Sequence, residues 1–263
     1  MSDEFYIGWE AKAAPGIGKT VRCAVIAVLA LALLVPVVLA VSQRMIGVSV
    51  FEWGTQKTFS GVLQTQPYPH LLVPRPGVNE KHTLQSVLFS PAMFSTYHLV
   101  APWKFGLNRA AIAPLDGKSV TLKGTLIYRG SQTMIETKPE WIRPNEKTPN
   151  SASLPQSVAL GKQTLTGEIV DSKCFLGVMN PGQLTPHRAC AIRCISGGVP
   201  PVLLVRQKDG PAIYLLLVSA DGKAVNKQVL DLVAEPVEIT GEVERQGELL
   251  ILRADPVTYR RVK

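Results

Sequence analysis

An uninterrupted apolar run, Cys23 to Val41, constrains this chain more than any other stretch. It carries no charge and is long enough, at about 1.5 Å per residue, to cross a hydrocarbon core about 30 Å thick. A cleaved signal peptide is the competing reading, and Val38-Leu39-Ala40 offers a small-residue cleavage site. The polar leader over 1–22 is too long for that and the apolar run exceeds a usual signal core, so a retained transmembrane helix over 23–42 is expected. Lys12, Lys19 and Arg22 flank it on the leader side, against Arg44 and Lys57 beyond. That imbalance places the N-terminus in the cytoplasm and everything past residue 42 on the other side. Cys23 falls inside the span, where a cysteine behaves as a small apolar residue.

The chain has 263 residues, enough for two small domains beyond the helix. Residues 43–57 read as a connector whose Phe51 and Trp53 suit a membrane interface. Two β-rich units follow, over 58–137 and 161–263, joined by a Pro-, Asn-, Ser- and Lys-rich linker over 138–160. The units repeat each other. Thr58-Phe-Ser-Gly61 parallels Thr164-Leu-Thr-Gly167, Tyr97-His-Leu-Val100 parallels Tyr214-Leu-Leu-Leu217, and Val120-Thr-Leu-Lys-Gly124 parallels Val237-Glu-Ile-Thr-Gly241. Tyr97 and Gly124 stand 27 residues apart, as do Tyr214 and Gly241, which indicates duplication. Each unit shows about five short strands bounded by turn signals such as Asp116-Gly117, Asp209-Gly210, Asp221-Gly222 and Gln246-Gly247. Five strands with a helical insertion fit an OB-like barrel. The fold class expected is mainly β: one N-terminal transmembrane helix and two tandem OB-like small β-barrels.

The second unit holds about eleven more residues between its first glycine and its tyrosine than the first does, and they carry the reactive side chains. Asp171-Ser-Lys-Cys174 is followed by His187-Arg-Ala-Cys190-Ala-Ile-Arg-Cys194-Ile-Ser-Gly197-Gly198. Thr185-Pro186 predicts a helix start and Gly197-Gly198 a left-handed stop. On that helix His187, Cys190 and Cys194 share one face, within an arc of roughly 60°. Three readings of Cys174, His187, Cys190 and Cys194 compete. The first is a structural disulfide of Cys174 with Cys190 or Cys194, which an oxidising compartment favours. The second is a Cys₃His site for one zinc or copper ion. The third is a redox pair with one thiol left over. A Cys190–Cys194 bridge is disfavoured, because side chains four apart on one helix meet disulfide geometry poorly.

The pattern Thr-Gly-x-x-x-Asp171-Ser-x-Cys174, then His187-x-x-Cys190-x-x-x-Cys194-x-x-Gly197-Gly198, then a Tyr-Leu strand, resembles a group of largely uncharacterised exported bacterial OB-like domains over residues 164–253. The resemblance implies a bacterial inner-membrane protein with its barrels in the periplasm, and implies no activity. Cys190-x₃-Cys194 also resembles the copper motifs of Sco-type and CuA-type proteins, although there the histidine follows the cysteine pair and here His187 precedes it. A single anchor before an OB barrel resembles the haem chaperone of cytochrome c maturation, whose His-x₃-Tyr motif this chain lacks.

The formal charge of +8 favours anionic partners, but it is scattered. No basic run with interleaved aromatics points to nucleic acid. His70 and His82 fall in a Pro-rich loop and His98 in a strand, each an ordinary histidine in this reading. Asp171 caps a turn through its carboxylate. Trp103-Lys104-Phe105 and Trp141 offer an apolar contact patch. No complete catalytic set is visible. The sequence therefore leads to a non-catalytic, membrane-anchored accessory subunit in contact with the bilayer and with other subunits of a membrane complex, an electron-transfer assembly by analogy. The alternative is a metal-handling or thiol-redox protein.

Overall fold

Helix α1, Pro15–Arg44, leads the chain. A computed structural model describes residues 14–44, 49–74, 94–145, 157–207 and 212–262. The helix starts ahead of the apolar run because Pro15 suits a first helical position and no further proline intervenes before Cys23. Pro36 lies inside it without ending it. Pro15–Ser42 has a mean hydropathy of 3.1, which suits a membrane span or a signal sequence. The remainder, from Val48 onward, forms a separate compact unit.

That unit contains two closed five-stranded barrels. The first is built from β2 (Lys57–Gln64), β3 (His70–Pro74), β4 (Phe94–Val100), β5 (Ser119–Arg129) and β6 (Gln132–Glu136). Their order around the wall is β2-β3-β4-β6-β5 and back to β2, with β4 and β6 parallel. The second uses β8 (Ser157–Asp171), β9 (Pro201–Val205), β10 (Ile213–Val218), β11 (Pro236–Gln246) and β12 (Leu249–Arg253). Its order is β8-β9-β10-β12-β11 and back to β8, with β10 and β12 parallel. First-second-third-fifth-fourth closure with one parallel pair is the OB topology in both. The expectation of two OB-like barrels behind an apolar helix holds.

Alternation drives the strands. In β11 Val237, Ile239 and Val243 are buried while Glu238 and Glu242 face out. The repeated glycines sit where the walls close. A Cβ at Gly124 would lie 2.8 Å from the Glu136 carbonyl oxygen, and one at Gly241 2.3 Å from that of Arg253. Only glycine lets the fourth strand bend this close to the fifth.

Two segments read as connections are partly strand. Within 43–57, Ser49–Phe51 is β1, which pairs with Ile127–Arg129 of β5 and packs Phe51 against the core. Within 138–160, β7 (Ile142–Pro144) also pairs with β5, and β8 begins at Ser157. Edge pairing satisfies backbone groups that a free linker would leave to water, and edges tolerate Pro144. Residues 146–156 lie outside the described ones.

Each barrel has its own core: Leu63, Leu71, Leu99 and Leu122 in the first, Ile169, Leu203, Leu217 and Ile239 in the second. A third apolar cluster belongs to neither alone. It joins Tyr68, Val100, Ile127 and Met134 of the first barrel to Cys174, Phe175, Cys194, Val202 and Leu216 of the second. The barrels therefore share one apolar seam.

Candidate functional site

The long link between β8 and β9 lies along this seam. It opens with a π-helical turn, Cys174–Val178, passes through a tight 3₁₀ turn at Thr185–His187, and continues as α2, Arg188–Ser196. Thr185 does not cap the helix; it begins the 3₁₀ turn, and the cap position is His187. The two glycines end α2 as the sequence predicts, with Gly198 at φ +99°. Asn226 adds a side-chain cap, donating to the Ile195 and Val199 carbonyls at 2.8 and 2.9 Å.

Four predicted residues converge. Cys174 Sγ lies 3.9 Å from Cys190 Sγ and 3.8 Å from Cys194 Sγ, and all three are free thiols. Cys174 and Cys194 are buried and Cys190 is half-buried. His187 is buried, and its Nε2 meets Asp171 Oδ2 at 2.9 Å. That contact assigns the Nε2 proton to the bond with the carboxylate and leaves Nδ1 to act as a ligand. The other Asp171 oxygen accepts from the Cys174 backbone N–H at 2.8 Å. Asp171 thus caps the turn, as expected, and orients the histidine as well.

The ligand atoms fall into two overlapping triplets, each within 4.8 Å: Cys174, His187 and Cys190, and Asp171, Cys174 and Cys194. Cys174 belongs to both. The Sγ separations match the edge of a tetrahedron with bonds of about 2.3 Å, which is about 3.8 Å. Thiolates and a carboxylate-supported imidazole form a donor set that suits zinc or cuprous copper. The buried Cys/His cluster can hold a metal ion.

Charge around the sulfurs is arranged unevenly. The bond to Cys194, burial and the Asp171 carboxylate all push the Cys174 thiol up, while Cys194, accepting that bond, is held below the usual thiol range. Lys104 of the first barrel places Nζ 2.6 Å from Cys190 Sγ, a bond that raises the lysine's own pKa.

The loop that carries Lys104 is held by Lys173. This side chain is fully buried, donates to the Ala101 and Trp103 carbonyls at 2.8 and 2.7 Å, and pairs with Glu136 at 2.5 Å. Trp103 sits at φ +64°, strained backbone for a bulky residue, and Lys173 bonds its carbonyl. Beyond it, the Gly106 N–H donates to the Gly197 carbonyl at 3.0 Å. A Cβ on Gly106 would lie 2.1 Å from the Gly198 oxygen, and one on Gly197 2.1 Å from the Lys104 oxygen. The paired glycines therefore admit the first barrel's loop as well as stopping the helix. The site is composite, with sulfurs from one barrel and a cation from the other. Sequence reading took Lys104 only as part of a contact patch and Lys173 only as a spacer beside Cys174, and assigned neither to the site. Trp103 and Phe105 stand exposed on this loop, at 81% and 46%.

The remaining histidines divide. His70 opens β3 instead of lying in a loop and sits opposite His98 across the β3–β4 pair, rings 5.9 Å apart and both buried. His82 lies outside the described residues. Neither His70 nor His98 joins the thiol cluster.

Fold and site together define a tandem OB-barrel protein with a buried thiol–imidazole cluster between its barrels and an apolar helix ahead of them. No family of known proteins and no curated sequence matches the chain. Among solved structures it is similar to a single-stranded DNA binding protein from Thermus aquaticus, at 13% identity and a TM-score of 0.22, over 82% of this chain and 94% of that one. The two OB barrels are defined by strand order and pairing, independently of that likeness.

Proposed function

We propose that this is a membrane-tethered metal-handling protein that holds one zinc or cuprous ion at Cys174, His187 and Cys190. The observation that carries this is the Asp171–His187 bond of 2.9 Å beside two thiols. A carboxylate that fixes the tautomer of a buried imidazole facing sulfur is the usual outer support of a metal site. A purely structural disulfide needs neither the histidine nor the carboxylate. Bound metal would supply Lewis acidity or a transferable ion; the chain supplies the donors, their orientation and a largely dry setting. In this reading the barrels lie on the periplasmic side of a bacterial inner membrane, which the charge bias around α1 and the resemblance to exported domains support.

The test is metal stoichiometry and competition with a chelator on the full chain in detergent, loaded anaerobically with zinc or with cuprous ion. One ion per chain, lost in His187→Gln and Cys190→Ser, supports the reading; loading unchanged by both substitutions sinks it.

A second reading, an accessory subunit of a membrane electron-transfer complex, draws on the exposed Trp103 beside the cluster. It requires a partner that co-purifies after gentle extraction and dissociates in Trp103→Ser.

A further inference from the structure

We propose that the three sulfurs also form a thiol–disulfide relay: Cys190 receives a disulfide from outside, Cys174 passes it inward, and Cys194 completes the final bond. Position assigns these roles. Cys190 is the half-buried thiol, whereas Cys174 and Cys194 are 3% and 1% exposed. Cys174 Sγ stands between the other two, at 3.9 and 3.8 Å. Cys190 and Cys194 lie four apart on one helix and pair poorly with each other, so any transfer between them runs through Cys174. The approach to Cys190 is framed by Lys104, with Nζ at 2.6 Å. That cation selects an anionic, glutathione-type disulfide.

The steps balance. The Cys190 thiolate attacks one sulfur of the external disulfide, forming a mixed disulfide and releasing the first external thiol. Cys174 attacks Cys190 Sγ, closing Cys174–Cys190 and releasing the second. Cys194 then attacks Cys174 Sγ, closing Cys174–Cys194 and returning Cys190 to the thiolate. Two protein thiols are oxidised, one external disulfide is reduced, and the protons of Cys174 and Cys194 leave with the two external thiols. The exchange needs only the three sulfurs. Its consequence, expulsion of bound metal when Cys174 is oxidised, rests on the metal-site reading above.

The experiment uses the full chain in detergent, in a Cys23→Ser background, reduced and metal-free, exposed to glutathione disulfide and then acid-quenched, alkylated and peptide-mapped. The parent protein should show glutathione on Cys190 first and Cys174–Cys194 last. Cys194→Ser should stop at Cys174–Cys190, and Cys174→Ser should keep glutathione on Cys190. Cys190→Ser should slow oxidation by about tenfold or more. Oxidation of Cys190→Ser at the parent rate, or first adducts on Cys194 in the parent itself, would overturn the relay whether or not every variant folds. Cystamine, a cationic disulfide, should react several-fold more slowly; equal rates remove the anionic partner. Zinc titration of the same reduced protein separates the two readings: ordered exchange without zinc binding leaves the relay and removes the metal site, and zinc binding with disordered exchange does the reverse.

Discussion

The Lys173 ammonium lies 2.5 Å from the Glu136 carboxylate, in the seam between the barrels. Glu136 is the last residue of β6 and Lys173 directly precedes Cys174, so the pair joins one barrel's wall to the other's reactive loop. Removing one partner of a buried pair leaves the other charge uncompensated. Lys173→Met should therefore lower unfolding stability by about 3–5 kcal/mol in urea titrations. Lys173→Met with Glu136→Met should recover much of that loss, short of the share owed to the Ala101 and Trp103 carbonyls.

Asp171→Asn keeps an oxygen for the Cys174 N–H but turns an amide toward His187. Its N–H would favour the tautomer with the proton on Nδ1, the nitrogen needed for metal. Affinity for zinc should fall about 10–100-fold in chelator competition, with little change in the far-ultraviolet circular dichroism of the barrels.

His98 gives stability a pH signature. Both its ring nitrogens lack hydrogen-bond partners among the described residues, and burial, with His70 beside it, lowers its pKa to about 3. The unfolded chain takes up this proton near pH 6.5, so between about 6.5 and 3 the unfolded state binds more protons than the folded one. The stabilisation is full above that window and is lost as pH falls through it, by about 1.4 kcal/mol per pH unit at most. His70, likewise lowered by burial, adds in the same direction. His98→Leu should flatten the acid limb of the stability–pH curve; an unchanged limb would assign it to other groups.

Gly106→Ala would drive a methyl group into the Gly198 carbonyl, 2.1 Å away, and displace the loop that carries Lys104. The expected cost is about 1–3 kcal/mol, as for overpacking elsewhere. Cys190 should become more accessible to iodoacetamide, while Cys174 and Cys194 stay protected until unfolding.

The duplicated barrels were legible because their signals are local. Gly124 and Gly241 mark the bends where fourth strands meet fifth strands, and their equal distances from Tyr97 and Tyr214 follow from equal topology. Helical spacing made the shared face of Cys190 and Cys194 legible, and the strand before Cys174 brought that residue in from the side. The role of Lys104 was not legible, because the sequence shows it only between two aromatics of a contact patch; the glycine-permitted approach of two barrels sets it against Cys190. The linker was read too wide for a related reason. Pro144 looks like a chain breaker, yet β7 pairs along an edge where a missing N–H costs little. The net excess of about eleven residues in the second unit also hides a larger insertion, Ser172–Pro200 against Thr65–Pro69, which a longer β3–β4 connection in the first barrel partly offsets.

X-ray absorption at the metal edge, on the full chain loaded with one equivalent of zinc or cuprous ion under reducing conditions, reads the donor set itself. Two or three sulfur neighbours at about 2.3 Å with an imidazole shell are expected, the imidazole signal vanishing in His187→Gln. A shell of oxygen and nitrogen alone, or sulfur neighbours that survive Cys174→Ser unchanged, would contradict it.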